Sequence, residues 1–75
     1  MNWQRRIELN PQVLVGKPVI KGTRIAVELV IELLAEGRTE KQILEEYPQL
    51  CLEDVRAAVR YAAETLKAER VYPIA

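Results

Sequence analysis

The chain has 75 residues, 49% of them hydrophobic and 29% charged, with 11 basic and 11 acidic side chains, no histidine and one cysteine. That composition fits a single folded domain near the lower size for one core. It excludes an intramolecular disulfide and catalysis through imidazole, and it leaves a zinc site almost without ligands.

No apolar run approaches the ~20 residues of a membrane span. The opening MNWQRRIEL also lacks the apolar stretch of an export signal, so the expectation is a cytoplasmic protein with no metal and no cofactor. Charge is balanced overall but unevenly placed. Residues 1–24 carry Arg5, Arg6, Lys17, Lys21 and Arg24 against Glu8, a balance of +4. Residues 25–50 carry six glutamates against Arg38 and Lys41, a balance of −4, and residues 51–75 are neutral. The two charged segments either meet different partners or complement each other within one fold or dimer.

The first third is β-like and punctuated. Val13, Val15, Val19 and Ile20 favour a pleated surface, Pro18 suits a strand start or edge, and Gly22 stands where a turn needs positive φ. Two short strands are expected, about residues 6–9 and 18–21, joined by a loop. A two-stranded hairpin is marginal alone in water, so this segment is expected to pair between subunits. Ile7, Leu9, Val19, Ile20, Ile25 and Val27 are the candidates for that homodimer interface.

From Ala26 the period becomes helical. Val27, Val30, Ile31 and Leu34 repeat at i, i+3, i+4 and i+7, with Glu28, Glu32 and Glu36 on the other side, and Gly37 ends the helix. Thr39 to Gln42, TEKQ, has the form of a capping box. It opens a short second helix with Ile43, Leu44 and Tyr47 inward, closed by Pro48. A third helix follows Cys51, with Val55, Ala58, Val59, Ala62 and Leu66 on one face, and ends near Ala68. Residues 1–75 thus read as one mainly α domain: an N-terminal β-hairpin or β-arm over 1–25, a three-helix core over 26–68 in helix-turn-helix outline, and an apolar tail over 69–75.

The stretch GKPVIKGTRIAV, followed by LLAEGRTEKQILEEYPQLCLEDVRAAVRYA, resembles domain-of-unknown-function family 433 from about Ile7 to Ala62. The resemblance implies a homeodomain-like three-helix core. It further implies an antitoxin-like role, in which a dimer binds a cognate toxin of nuclease-like fold and operator DNA. Relatives commonly carry Thr or Ser before the third helix, where this chain has Cys51. A thiol caps poorly, and Glu53 and Asp54 beside it oppose the thiolate that a reactive cysteine would need.

GKPVIKGTRIAV is not a phosphate loop. Gly16 and Gly22 are six apart, one more than that motif allows, and Thr23-Arg24 replaces its Lys-Ser/Thr pair. No small-molecule substrate is evident, and with no nucleophile–base pair no enzyme activity is expected. For DNA the candidates are Arg5, Arg6, Lys21 and Arg24 in the arm, with Arg56 and Arg60 on the third helix. The competing reading makes all six ordinary solvated charges, with Arg56 and Arg60 paired to Glu53 and Glu64 along the helix. Trp3, Val71, Tyr72 and Ile74 are candidate toxin contacts, or else cover the small core or the dimer seam. The alternative function is a protein-interaction module with a degenerate helix-turn-helix that does not bind DNA.

Overall fold

The computed structural model describes residues 2–12 and 14–69. A 3₁₀ turn at Trp3–Arg6 runs into strand β1, Ile7–Glu8. Strand β2, Val19–Ile20, pairs with it antiparallel, Ile7 opposite Ile20 and Glu8 opposite Val19. Three helices follow: α1, Val27–Ala35; α2, Glu40–Glu46; and α3, Leu52–Glu69. The architecture is therefore mainly α, three helices preceded by a short two-stranded antiparallel sheet.

The loop between the strands departs from the pleated expectation. The Gln12 amide donates to Asn10 Oδ1 at 2.9 Å, a local Asx turn, and the chain then reverses through a second 3₁₀ turn at Leu14–Gly16. There Leu14 (φ 47°) and Val15 (φ 56°) take the left-handed region, which a β-branched residue rarely adopts. Val15 is 94% exposed, so it is a turn residue and not a strand residue. Val13 lies outside the described residues. Gly22 (φ 81°) makes the turn after β2 as expected, and the Ile20 amide returns to the Ile25 carbonyl at 2.9 Å.

The core gathers Ile20 and Ile25 from the hairpin, Val27, Val30 and Leu33 from α1, Ile43 from α2, Leu50 from the turn, and Val55 and Ala58 from α3. This corrects the dimer-interface assignment. Val19, Ile20, Ile25 and Val27 are all buried within the one chain, and Ile20, Ile25 and Val27 pack into its central core. They offer no surface to a second copy. Ile7 is half-buried, and Leu9, at 62% exposure, is the member of that set left open.

The inward stripe of α1 centres on Val27, Val30 and Leu33, leaving Ile31 and Leu34 half-buried at its margins. On α3 the expected stripe holds only in part. Val55 and Ala58 are buried, but Val59 is 45% exposed and Leu66 66% exposed. Val59 turns outward beside the buried Ala57 and Ala58, whereas Leu66 lies near the end of an 18-residue helix that outruns the 9-residue α1.

The capping box at α2 forms in both directions, the Gln42 amide donating to Thr39 Oγ1 at 3.1 Å and the Thr39 amide to Gln42 Oε1 at 2.9 Å. Thr39→Ala should therefore cost about 1 kcal/mol of stability, a fall in Tm of roughly 4–8 °C for a domain this size. Thr39→Ser should be close to neutral. Thermal unfolding followed by circular dichroism checks both, and an unchanged Tm in the alanine variant would mean that this cap does not stabilise the fold.

Candidate functional site

The start of α3 is acidic, with Glu53 and Asp54 in its first turn, yet it is not left as a bare negative surface. The Trp3–Arg6 turn lays Arg6 across it. Arg6 Nη1 donates to Asp54 Oδ1 at 2.9 Å and lies 3.3 Å from Cys51 Sγ, while Nη2 donates to Glu53 Oε2 at 3.1 Å. The hydrogen bond to Asp54 raises the Arg6 guanidinium above its ordinary pKa, opposed by a loss of hydration and supported by the charges of Glu53 and Asp54. Arg6 is therefore cationic at any working pH.

Asp54 has a second bond. Its Oδ2 accepts the Cys51 amide at 3.0 Å, so the third residue of the helix reaches back to the residue that caps it. This is half of a capping box, and it compensates for a thiol in the capping position. The spacing Cys51-x-x-Asp54 carries that signal in the sequence, where charge alone marks Asp54 only as repulsive.

Around this clamp lies an open polar cleft of about 410 Å³, bounded by Asn2, Arg5, Arg6, Lys21, Glu53 and Asp54. The Lys21 amide donates to the Arg6 carbonyl at 2.8 Å, which places Lys21 next to the turn that carries Arg5. Among the described residues neither Arg5 nor Lys21 forms an ion pair. Of the arm's five cations, Arg6 thus pairs with the start of α3 and Arg5 and Lys21 line the cleft.

The other candidates fall elsewhere. Arg24 borders a separate hollow with Val15, Lys17 and Leu29. Arg56 reaches back to Glu40 of α2 at 3.2 Å, and Arg60 pairs with Glu64 along α3 at 3.2 Å. The predicted Arg60–Glu64 pair is present. The predicted Arg56–Glu53 pair is replaced, because Glu53 is held by Arg6. Trp3 packs edge-to-face on Tyr61 of α3, with ring centroids 6.3 Å apart, which makes it a packing residue of this chain. Val71, Tyr72 and Ile74 lie outside the described residues.

The basic arm and acidic middle also meet directly. Lys17 Nζ bonds Glu28 Oε1 at 2.7 Å, and that hydrogen bond raises the Lys17 ammonium above its ordinary pKa. Among the described residues no group of three or more acidic or thiol side chains could hold a metal, and no helix is long and apolar enough to cross a membrane.

Residues 7–62 match the family described as protein of unknown function (DUF433). The chain is 39% identical over 62 residues to the uncharacterized protein y4eO of Sinorhizobium fredii, an alignment covering 81% of this chain and 28% of that protein. It also superposes on the crystal structure of a DUF433 member from Anabaena variabilis with a TM-score of 0.79 at 32% identity, covering 87% of this chain and 64% of the other. The chain therefore spans about a quarter of the first relative and under two thirds of the second.

Asp54→Ala leaves both the Cys51 amide and Arg6 without their acceptor and should cost about 1–3 kcal/mol. Glu53→Ala removes an exposed partner and should stay within about 1 kcal/mol of wild type. Urea unfolding separates the two. Equal losses would mean that the clamp does not centre on Asp54.

Proposed function

The chain belongs to the DUF433 family, and from that premise we propose that it is an antitoxin-like helix-turn-helix protein whose α2–α3 unit lies on operator DNA and which also binds a partner protein. One observation carries the DNA reading. Arg6 offsets one of the two carboxylate charges at the acidic start of the would-be recognition helix, and Arg5 and Lys21 line the cleft beside it. Without the clamp, Glu53 and Asp54 would repel phosphates at the end of the helix that approaches the duplex in such folds. With it, the local balance over these five side chains is positive.

In this reading phosphate contacts by Arg5, Lys21 and Arg24 supply most of the affinity. Arg56 and Arg60 orient the helix after giving up exposed pairs, which are worth little. The toxin half of the reading follows from what the family resemblance implies: a dimer that binds a cognate toxin of nuclease-like fold. A two-fold contact would use Leu9 and the open edge of β1 in place of the buried hairpin residues. No enzymatic role is proposed.

A second reading has its own support. Arg56 and Arg60 are both engaged by carboxylates of this chain, as expected of an interaction module that does not bind DNA.

Affinity for a duplex from the protein's own promoter, titrated with salt by electrophoretic mobility shift, tests the two. Replacing Arg5, Lys21 and Arg24 with alanine should weaken binding to operator and scrambled duplexes alike. It should also flatten the log–log salt slope by roughly 0.9 for each phosphate that is no longer neutralised. An unchanged slope removes the basic arm from the mechanism, and absence of binding at low salt leaves the interaction module.

A further inference from the structure

A second surface shares no residue with the polar cleft. Between α1 and the overhanging half of α3 runs an open groove of about 350 Å³, floored chiefly by Ile31, Tyr61, Ala62 and Leu66 and rimmed by Glu28 and Glu32 of α1. Its α3 side is half-buried at Tyr61 and Ala62 and exposed at Leu66, and the contact between Trp3 and Tyr61 holds the ring at its wall.

The rim has a defined sign. Glu28 and Glu32 on α1 and Glu36 just past its end follow one another at four-residue intervals, so like charges stand one turn apart, an arrangement that weakens a helix. Lys17 pairs with Glu28, whereas Glu32 and Glu36 form no ion pair among the described residues. The fold thus keeps a ridge of repelling carboxylates beside an uncovered apolar strip, where a chain with no partner there gains nothing from either.

We infer that this groove seats a basic amphipathic helix of a partner protein. Such a helix sets apolar side chains at i, i+3/i+4 and i+7 into the strip and lays lysine or arginine along the Glu28–Glu32–Glu36 ridge. An acidic or neutral helix with the same apolar stripe fits the floor but meets the ridge unpaired. The inference deepens the partner half of the proposed function and rests on it only for the partner's biological identity. DNA binding enters neither the geometry nor the test.

The probe is a pair of fluorescein-labelled, helix-stabilised peptides with one leucine stripe, flanked in one by lysine and in the other by glutamate, titrated by anisotropy into the full chain. The lysine peptide should bind, and more weakly as salt rises. The glutamate peptide should bind at least tenfold more weakly. Glu32→Lys and Leu66→Ser both replace exposed side chains, so the fold should survive, as checked by circular dichroism. Each should lower affinity for the lysine peptide roughly tenfold, with amide shift changes in ¹⁵N spectra mapping to Ile31, Tyr61 and Leu66.

Equal binding of the two peptides overturns the inference, as do shift changes centred on Arg5 and Lys21. Two further results overturn it by naming another occupant. One is a wild-type dimer in light scattering that Leu66→Ser makes monomeric, which assigns the groove to a second copy. The other is lysine-peptide binding that appears only after removal of residues 70–75, which assigns it to the chain's own tail.

Discussion

The ionic clamp from Arg6 to Asp54 and Glu53 joins two parts of the chain that local structure alone would leave loosely connected. The sheet has two residues in each strand, too little to hold the arm in place by its ladder. The clamp fixes the arm where it crosses α3, with the Trp3–Tyr61 contact nearby and the Lys21 amide on the Arg6 carbonyl. It acts on Asp54 because that carboxylate is nearly buried. A charge so placed needs strong donors, and both the guanidinium and the Cys51 amide supply them. The same bonds cap α3 and offset half of the charge at its acidic start.

From this follows the division of charge across the molecule. Some of the arm's excess cations are used internally, Arg6 on α3 and Lys17 on Glu28, which leaves Arg5 and Lys21 at the cleft and Arg24 apart. Some of the acidic middle is neutralised likewise, Glu40 by Arg56 and Glu46 by Arg38, which leaves Glu32 on α1, Glu36 at its end and Glu45 on α2 without an ion pair among the described residues. The basic and acidic segments thus complement each other within one fold in part. Among the described residues, what remains unpaired includes Arg5 and Lys21 beside the start of α3 and Glu32 and Glu36 at α1. That remainder motivates two separate binding surfaces.

Much of the helical architecture was legible in the sequence, because its signals are local. The TEKQ box, Gly37 and Pro48 mark where α1 and α2 begin or end, and each acts within a few residues. The hairpin strands were also legible, but not which way they face, since β-branched residues suit a dimer seam and a monomer core equally. Val15 shows the limit of propensity: the tight return between Asn10 and Pro18 puts it in a left-handed turn despite its preference for a strand. The α3 stripe was legible as a pattern, but burial of Leu66 depends on how far α1 extends beside it. The clamp was the least legible part. It joins residues 48 apart in sequence, and only the fold brings them together.

A double-mutant cycle on Arg6→Gln and Asp54→Asn, read by urea unfolding, tests the clamp most directly. If Arg6 and Asp54 stabilise the fold through each other, the double variant loses clearly less than the two single losses added together, because removing either partner has already broken the bond. Strictly additive losses would contradict this. They would mean that the arm is held by packing alone, and that Arg6 stands at the acidic start of α3 without holding it.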